Sequence, residues 1–420
     1  MTGMRNFISH IVTKRGHAIV SIAFGTLAFG VTSGKIIITV TGVFLVSLYA
    51  YLVKAKVSKQ QLMDLAIVTT LFWIPCLWLI RSPDYTAGLK EIERFALFLV
   101  LPIVVTFVPL SKENLLTIAR FACLVVISAY ILSLGTAVYN YFYASHPWGI
   151  QSEFFFYTEL SNGFFNAHPL YLSMAGFLAG MVSLVVFSDK PIFKWVILIF
   201  IGLVIILLNG RILISLYLSM VFLYSFSRIV AKNNKLYVVI GVVCSVAIVW
   251  GVIALSKIHD KPNRSYILDV NEAVEKSTNP EVTSQNNGLI VRFAIWRNAF
   301  NVIQNNVIWG NGTGSERQKL LQQYSNAGYT GLHREGLTSH NQLIFYLIEF
   351  GIVGTLAIMV AFGWMLIQAI RKNNWLYVCF IIFFVIASLT ESYFNRFHGV
   401  ALFSFVHSIL FIKYVRNHQT

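Results

Sequence analysis

The sequence predicts an all-α polytopic membrane protein with about twelve transmembrane helices, and three observations support this class. Hydrophobic residues make up 57% of the 420 residues and charged residues only 12%, with a mean hydropathy of +0.69. A water-soluble domain needs more charges than this to cover its surface. Apolar runs long enough to cross a bilayer recur along the chain. One long polar stretch, residues 257–339, interrupts them.

The apolar runs divide the chain into three parts. Nine runs precede the polar stretch, at residues 17–32, 36–53, 63–80, 95–110, 121–140, 169–188, 195–209, 212–227 and 236–256. Three runs follow it, at residues 343–370, 375–390 and 400–414. A helix of about 20 apolar residues matches the thickness of the hydrocarbon core. We therefore assign spans one to nine to residues 1–256, a large loop to residues 257–339, and spans ten to twelve to residues 340–420.

Lysine and arginine residues are concentrated in every second connection between the spans. They precede span one, follow spans two, four, six, eight and ten, and close the chain: Arg5, Lys14, Arg15, Lys54, Lys56, Lys59, Lys112, Arg120, Lys190, Lys194, Arg228, Lys232, Lys235, Arg371, Lys372 and Arg416. Because basic loops remain on the cytoplasmic side, both termini are predicted to be cytoplasmic. Residues 81–94, 141–168 and 257–339 then face the outer side.

The net charge of +15 predicts contacts with membrane lipids and not with nucleic acid. Basic cytoplasmic loops attract anionic headgroups, and the sequence has no basic soluble module that would bind a nucleic acid. The four cysteines, Cys76, Cys123, Cys244 and Cys379, lie within apolar spans, so we expect neither disulfides nor a zinc site. The N-terminal apolar stretch lacks a small-residue cleavage site, so we expect span one to be retained.

A short hairpin between spans seven and eight carries an arginine at its tip. The chain between Lys194 and Arg228 must cross the membrane twice, because both flanks are basic, yet it is short for two crossings. Its tip, residues 209–211, should therefore lie at or slightly below the outer surface. A guanidinium is costly in lipid, so Arg211 either extends to the headgroups or faces a hydrated cavity. In a cavity, its fork of donors suits a phosphate.

The polar stretch is predicted to contain an amphipathic helix over residues 289–305. Arg292 lies near its start and Arg297 lies a turn and a half later, so the two side chains point in different directions. A glycine-rich turn, residues 310–314, follows and precedes another predicted helix. Such a turn either holds a phosphate at a helix N-terminus or is an ordinary loop turn.

The junction between the polar stretch and span ten, residues 339–342, is the main candidate for the chemistry. Ser339 is predicted to cap the following helix, which places His340 in the first turn with Asn341 beside it. The positive end of the helix dipole disfavours an imidazolium, so we expect a neutral imidazole that accepts a proton. A structural role for a single histidine at the membrane interface is the alternative.

Three further polar residues lie on the predicted outer side. His168 enters span six, where it either lines a cavity or, together with Pro169, starts the helix. Glu391 and Arg396 lie in the last outer connection, where they either pair with each other or face a substrate. The structural and the functional interpretations of these residues both stay open at the level of sequence.

Several short motifs around the polar stretch form a set. They are His340-Asn341-Gln342-Leu343, Glu349-Phe350-Gly351-Ile352-Val353-Gly354, Arg292 with Trp296, and Trp309-Gly310-Asn311-Gly312. Together with the layout of the spans and the arginine at the hairpin tip, this set resembles the O-antigen ligase and polymerase superfamily. The resemblance implies a GT-C-like membrane fold in the bacterial inner membrane, with the active site on the periplasmic side.

The resemblance also implies the reaction. Members of this superfamily move a glycan from undecaprenyl diphosphate to an acceptor sugar, without a metal or another cofactor. Arg211 and Arg292 match the family's two essential arginines, which are thought to hold the diphosphate, and His340 matches its essential histidine, proposed to activate the acceptor hydroxyl. Further candidates for substrate binding are Asn341, His168, Arg297, Glu391 and Arg396. Direct displacement predicts inversion of the anomeric carbon, with arginines stabilising the departing diphosphate.

The acceptor distinguishes the possible members of this superfamily. A ligase transfers the glycan to lipid A-core, and we rank it ahead of a polymerase, which transfers it to a second lipid-linked repeat unit. A protein O-oligosaccharyltransferase ranks third, because the chain is compact. A flippase or transporter of the same lipid-linked glycan is an alternative from another class. The lack of matched broken helices and of buried acidic residues in the spans weakens it.

Overall fold

The computed structural model describes residues 2–53, 57–145, 151–165, 168–229 and 270–415. Within these ranges the chain is helical and contains no β-strand. Several of the helices are long and strongly apolar. The predicted all-α class is therefore confirmed.

The helices of the described ranges are numbered in chain order. Those before the polar stretch are α1 (Thr2–Ser33), α2 (Ile36–Val53), α3 (Lys59–Val68), α4 (Thr70–Trp78), α5 (Tyr85–Phe95), α6 (Leu97–Phe107), α7 (Lys112–Tyr143), α8 (Tyr157–Phe165), α9 (Pro169–Val186), α10 (Pro191–Leu207) and α11 (Arg211–Ile229). Those that follow are α12 (Val270–Lys276), α13 (Gly288–Asn305), α14 (Glu316–Asn326), α15 (Thr330–Glu335), α16 (Gln342–Arg371), α17 (Trp375–Ser388) and α18 (Phe397–Ser408). A π-helical segment, Ile409–Val415, continues α18.

Each predicted span except the ninth coincides with one or more of these helices. The ninth, residues 236–256, lies outside the described residues. By length and composition, four helices of the described part can cross a membrane, namely α2, α7, α9 and α16. A fifth is formed if α3 and the segment Thr70–Arg81, which are bent by 57° relative to each other, make one span. The count of twelve stays a prediction.

The chain divides into two compact units, which we describe separately. The first unit contains residues 1–58, 103–256 and 401–409, and the second contains residues 59–102, 257–400 and 410–420. In the first unit α9 is the central helix, since nearly all of its residues are buried. The Tyr130 hydroxyl on α7 donates to the Leu172 carbonyl at 3.0 Å, and the Tyr217 hydroxyl on α11 donates to the Leu198 carbonyl at 2.7 Å.

In the second unit, residues 270–339 form a packed helical layer. Its helices α12 to α15 share a hydrophobic core with the start of α16, whose fully buried members are Ala273, Ala294, Ile295, Ala299, Leu320, Tyr324, Leu332 and Ile348. The helix predicted over residues 289–305 is observed as α13, and the Asn287 side chain caps it by accepting from the Leu289 amide at 2.9 Å. The core fixes the positions of the polar side chains on α13 and α14.

The glycine-rich turn, residues 310–314, packs against a break in α16. The break lies at Gly351, which has φ 61° and ψ −166°. Four backbone hydrogen bonds join the two segments: Asn311 N to Ile348 O (2.9 Å), Gly312 N to Glu349 O (2.9 Å), Ile352 N to Val307 O (2.9 Å) and Val353 N to Ile308 O (3.1 Å). Because the amides of Asn311 and Gly312 already donate to carbonyl groups, the geometry favours the structural interpretation of this turn over a phosphate site.

Candidate active site at the start of α16

Three polar side chains of the second unit meet at the start of α16. Glu391 Oε2 lies 3.1 Å from His340 Nδ1, and Glu391 Oε1 lies 3.5 Å from Arg292 Nη2. Arg292 Nη2 also lies 3.4 Å from the carbonyl oxygen of Thr390. The side chains of Arg292, His340 and Glu391 are 35%, 37% and 25% exposed, so a substrate can reach them. One carboxylate therefore bridges the candidate base and a candidate diphosphate ligand.

The bridge determines how His340 can act. An ionised carboxylate only accepts hydrogen bonds, so Glu391 places a hydrogen on Nδ1 of His340 and leaves Nε2 of the neutral ring to accept a proton. The same carboxylate stabilises the imidazolium that results. The contact between Arg292 and Glu391 is long for an ion pair and is not bidentate. The contacts of Arg292 with Glu391 and Thr390 use Nη2 alone, and the side chain is partly exposed, so the guanidinium can also bind an anion.

The predicted cap of the helix at the junction is wrong. The N-cap of α16 is Asn341, whose Oδ1 accepts from the amides of Leu343 and Ile344 at 2.9 and 3.1 Å. His340 thus lies one residue before the cap and not in the first turn. Asn341 and not Ser339 caps the helix, because the Asn341 side chain also donates to the carbonyl of Leu389 at 2.9 Å, which fixes it in the capping position.

Buried polar contacts hold the backbone of the His340 turn. His340 has a positive φ of 46°, an unfavourable conformation for a residue with a Cβ, and its two neighbours in sequence are tightly bound. Trp296 Nε1 donates to the Ser339 carbonyl at 3.0 Å, and the Ser339 amide donates to Glu316 Oε1 at 2.8 Å. On the other side, the Asn341 amide donates to Ser392 Oγ at 3.0 Å. These hydrogen bonds hold the backbone on both sides of His340, so the position from which the imidazole extends is fixed.

A cluster of three buried glutamates lies beneath this turn. Glu91, Glu316 and Glu349 are at most 5% exposed. Glu349 Oε1 accepts from the Glu316 amide at 3.2 Å, and the carboxyl groups of Glu91 and Glu349 are close enough to interact. Neighbouring carboxyl groups in a buried site disfavour ionisation of both at once, because two like charges repel each other in a low-dielectric environment. The expectation that the spans lack buried acidic residues is wrong for Glu349 within α16 and for Asp64, which is buried in α3 at the start of predicted span three.

Burial raises the pKa of Glu91 and of Glu316, because a low-dielectric environment disfavours the charged form. The folded protein therefore keeps protons that the unfolded chain releases as the pH rises above the ordinary glutamate pKa of 4.5. It follows that stability is lost, and not gained, as the pH rises from that value through the folded-state pKa.

We expect the wild-type protein in detergent to show an unfolding temperature that falls as the pH rises above the ordinary glutamate pKa of 4.5. Glu91→Gln should flatten this fall, because the amide keeps the shape of the side chain and removes its titration. Glu93→Gln on the same helix is the matched control, since Glu93 is exposed. Thermal unfolding at a series of pH values measures the effect. An identical slope in all three proteins would show that the buried acids do not titrate with folding.

The other predicted substrate-binding residues lie in less suitable places. The Asn341 side chain is occupied by capping and by Leu389, as described above. Arg297 and Arg396 are exposed, and Glu391 pairs with Arg292 and His340 and not with Arg396. His168, in the first unit, is the N-cap of α9 and its Nδ1 accepts from the Leu170 amide at 3.3 Å. The geometry thus favours a structural role for Asn341 and His168.

Arg211 begins α11 in the first unit. α10 ends at Leu207 and α11 follows directly, with Asn209 at a positive φ of 51°, so the predicted tight hairpin with its tip at residues 209–211 is observed. The side chain of Arg211 lies outside the described part of the structure. Its predicted role as a phosphate ligand stays a prediction.

Sequence reasoning missed the residues that support His340. Glu391 was predicted only as a partner of Arg396 or as a substrate ligand, and Ser392, Glu316 and Glu91 were not predicted at all. They are far from His340 in sequence, so no local pattern connects them.

Among the described residues, no group of three or more His, Cys, Asp or Glu side chains is placed to hold a metal ion.

Part of the chain matches a known protein family. Residues 196–359 match the family described as O-antigen ligase. This part of the chain is therefore similar to the O-antigen ligase family. The resemblance to the O-antigen ligase and polymerase superfamily is confirmed, and it supports a ligase-like or polymerase-like function of a multi-pass membrane protein. No curated protein matches the chain. The matched region includes Arg211, Arg292 and His340, whereas Glu391 lies beyond it.

Proposed function

We propose that this protein is an inner-membrane glycosyltransferase that moves a glycan from undecaprenyl diphosphate to an acceptor sugar. The observation that carries the proposal is the Glu391 carboxylate, which contacts both His340 and Arg292. Transfer from a diphosphate needs a base for the acceptor hydroxyl and cations for the leaving group. Both lie within reach of one partly exposed carboxylate in a chain whose matched family is O-antigen ligase.

The proposed reaction is a direct displacement. The acceptor oxygen attacks the anomeric carbon of the donor and forms the new glycosidic bond. The bond between that carbon and the diphosphate oxygen breaks, and its electron pair leaves with the diphosphate. The acceptor proton passes to Nε2 of His340, and Glu391 stabilises the imidazolium. A single displacement inverts the anomeric carbon.

Arg292 stabilises the leaving group in this proposal. Negative charge grows on the diphosphate as the bond breaks, so a guanidinium aimed at it binds the transition state more strongly than the ground state. Arg211 keeps its expected role as the second diphosphate arginine on the strength of the family resemblance. We propose a metal-independent reaction, because arginines can supply the leaving-group charge compensation that a metal otherwise provides.

The proposed topology places both termini in the cytoplasm and the His340 turn on the periplasmic side. It rests on the basic residues of alternate connections and on the domain boundaries at residues 256 and 339. The acceptor we propose is lipid A-core. A second lipid-linked repeat unit, which would make the protein a polymerase, is the alternative, and a protein acceptor ranks third.

Reconstitution tests this proposal and separates its alternatives. The full chain is placed in vesicles with an undecaprenyl-diphosphate-linked glycan and lipid A-core, with and without a chelator. Glycan on lipid A-core supports the ligase, and elongated lipid-linked chains without that product select the polymerase. Translocation of the donor without any transfer would replace the enzyme by a flippase. Loss of transfer on chelation, or a retained anomeric configuration, would contradict the mechanism.

A further inference from the structure

A polar cavity of about 240 Å³ lies between the C-terminal end of α13 and the face of α14 in the second unit. Its lining residues are Val302, Asn305, Asn306, Asn311, Lys319, Gln322, Gln323 and Asn326. Carboxamides make up six of these eight side chains, and a lysine is the one charged member. This composition is unusual for an ordinary crevice between two helices, where apolar side chains normally meet.

The amide side chains of this cavity form two sets. Within the described part of the chain, those on its floor are hydrogen-bonded to other residues, and those on its walls are not. Asn311 is buried, its Nδ2 donates to the Ile348 carbonyl at 2.9 Å, and its Oδ1 accepts from Asn306 Nδ2 at 2.8 Å. By contrast, the side chains on the walls make no hydrogen bond to any described residue; they are Asn305, Gln322, Gln323 and Asn326. Asn305, Gln322 and Asn326 are exposed and Gln323 is half-buried, so their donors and acceptors are accessible to a polar ligand that rests on the fixed floor.

The chemistry of the walls selects the class of ligand. A carboxamide offers two donors and one acceptor, which match the adjacent hydroxyl groups of a sugar ring, whereas a phosphate needs donors alone. A nucleotide or nucleic acid would require arginines or several lysines, and the lining has one lysine. The volume is below the roughly 300 Å³ at which pockets for larger ligands begin, so the cavity suits one sugar residue.

The position of the cavity connects it with the His340 turn. α14 begins at Glu316, whose carboxylate accepts from the Ser339 amide, and Gln322 lies six residues further along the same helix. Six residues of helix correspond to about 9 Å along its axis. At the other end of the cavity, Asn311 is bonded to Ile348 in α16. A glycan that reacts at His340 therefore has further sugar residues within reach of the cavity.

We propose that this cavity is a glycan subsite, which binds one sugar residue remote from the bond being formed through its hydroxyl groups. The inference rests on the proposed glycosyl transfer and extends it by assigning a place where the polysaccharide binds. Remote binding of this kind would favour long glycans over short ones, because each additional hydrogen bond is available only to a chain that reaches the cavity.

The test compares donors that carry one repeat unit with donors that carry several. In the double variant Gln322→Ala/Asn326→Ala, kcat/KM for the long donor should fall about tenfold, as expected for the loss of two hydrogen bonds. The value for the shortest donor should stay unchanged. The matched control is Gln318→Ala/Asn301→Ala, because these two exposed residues lie on α14 and α13, the helices that flank the cavity, but do not line it. If only acceptors of increasing length show the effect, the subsite holds the acceptor glycan.

Several results would overturn the subsite. They are an equal loss for long and short substrates, no loss for any substrate, or the same loss in the control. If the wild-type protein transfers nothing, the proposed function fails, and the subsite is then decided by binding alone. The probe is the free polysaccharide released from the host's lipopolysaccharide by mild acid. Weaker binding of this probe by the double variant than by the control supports the subsite, and equal binding overturns it.

Discussion

Replacing His340 with alanine is expected to lower the rate of glycan transfer by about 100-fold to 10,000-fold, the usual contribution of a positioned general base. The acceptor hydroxyl would then lose its proton to water, without a group held by Glu391 at 3.1 Å. Donor binding should change little, because Arg292 remains. The measurement is single-turnover transfer in the reconstituted vesicles, with donor affinity determined separately.

The matched control for this substitution is His333→Ala. His333 lies in the same polar stretch and is exposed, so its loss should leave transfer unchanged. A second variant, Glu391→Gln, keeps a side chain of the same shape but removes the charge that stabilises the imidazolium, and should lower the rate less than the loss of His340. Glu391→Asp should restore part of it. Equal activity of His340→Ala and wild type would exclude His340 as the base.

The double variant of His340 and Glu391 tests whether the two act together. If the carboxylate works through the imidazole, adding Glu391→Gln to His340→Ala should cost little more than His340→Ala alone. Independent losses that multiply would instead indicate that Glu391 acts on the substrate or on Arg292. This comparison also separates a positioning residue from a purely structural one, which would lower the stability of the protein in both backgrounds.

The sequence predicted the helices around this site better than it predicted the contacts within it. The amphipathic pattern of residues 289–305 carries its own signal, and α13 is observed at Gly288–Asn305. The start of α16 was harder, because Ser339 and Asn341 are both good capping residues two positions apart. The choice between them depends on Leu389 and Ser392, about 50 residues later, and no local pattern contains that information.

The contacts within the glutamate cluster could not be predicted from the sequence either. Glu91, Glu316 and Glu349 belong to three helices that are distant in sequence, and each alone is an ordinary glutamate. Only the packing of α5, α14 and α16 makes them neighbours.

The family resemblance contributed Arg211, Arg292 and His340, all of which lie in the matched region, but it did not point to Glu391 as their partner.

The second large effect expected is on stability, from Gly351→Ala in the break of α16. Gly351 has φ 61° and ψ −166°, a region that only glycine occupies readily, at a cost of about 1–3 kcal/mol for other residues. A Cβ there would also lie closer than van der Waals contact to the Gly310 amide and the Ile308 carbonyl. Overpacking adds roughly 1–3 kcal/mol. Since hydrogen bonds to Val307 and Ile308 hold the flanking backbone, the segments cannot separate freely.

Together these terms predict that Gly351→Ala lowers the free energy of unfolding by roughly 2–6 kcal/mol. The measurement is the thermal unfolding of the purified protein in detergent, together with the yield of monodisperse protein. Gly363→Ala is the matched control, because Gly363 lies in the same helix and nothing lies within 4 Å of a Cβ built there. It should be neutral or slightly stabilising. Equal unfolding temperatures for both variants would show that the pairing of residues 307–312 with α16 is loose, and would remove the structural interpretation of the glycine-rich turn.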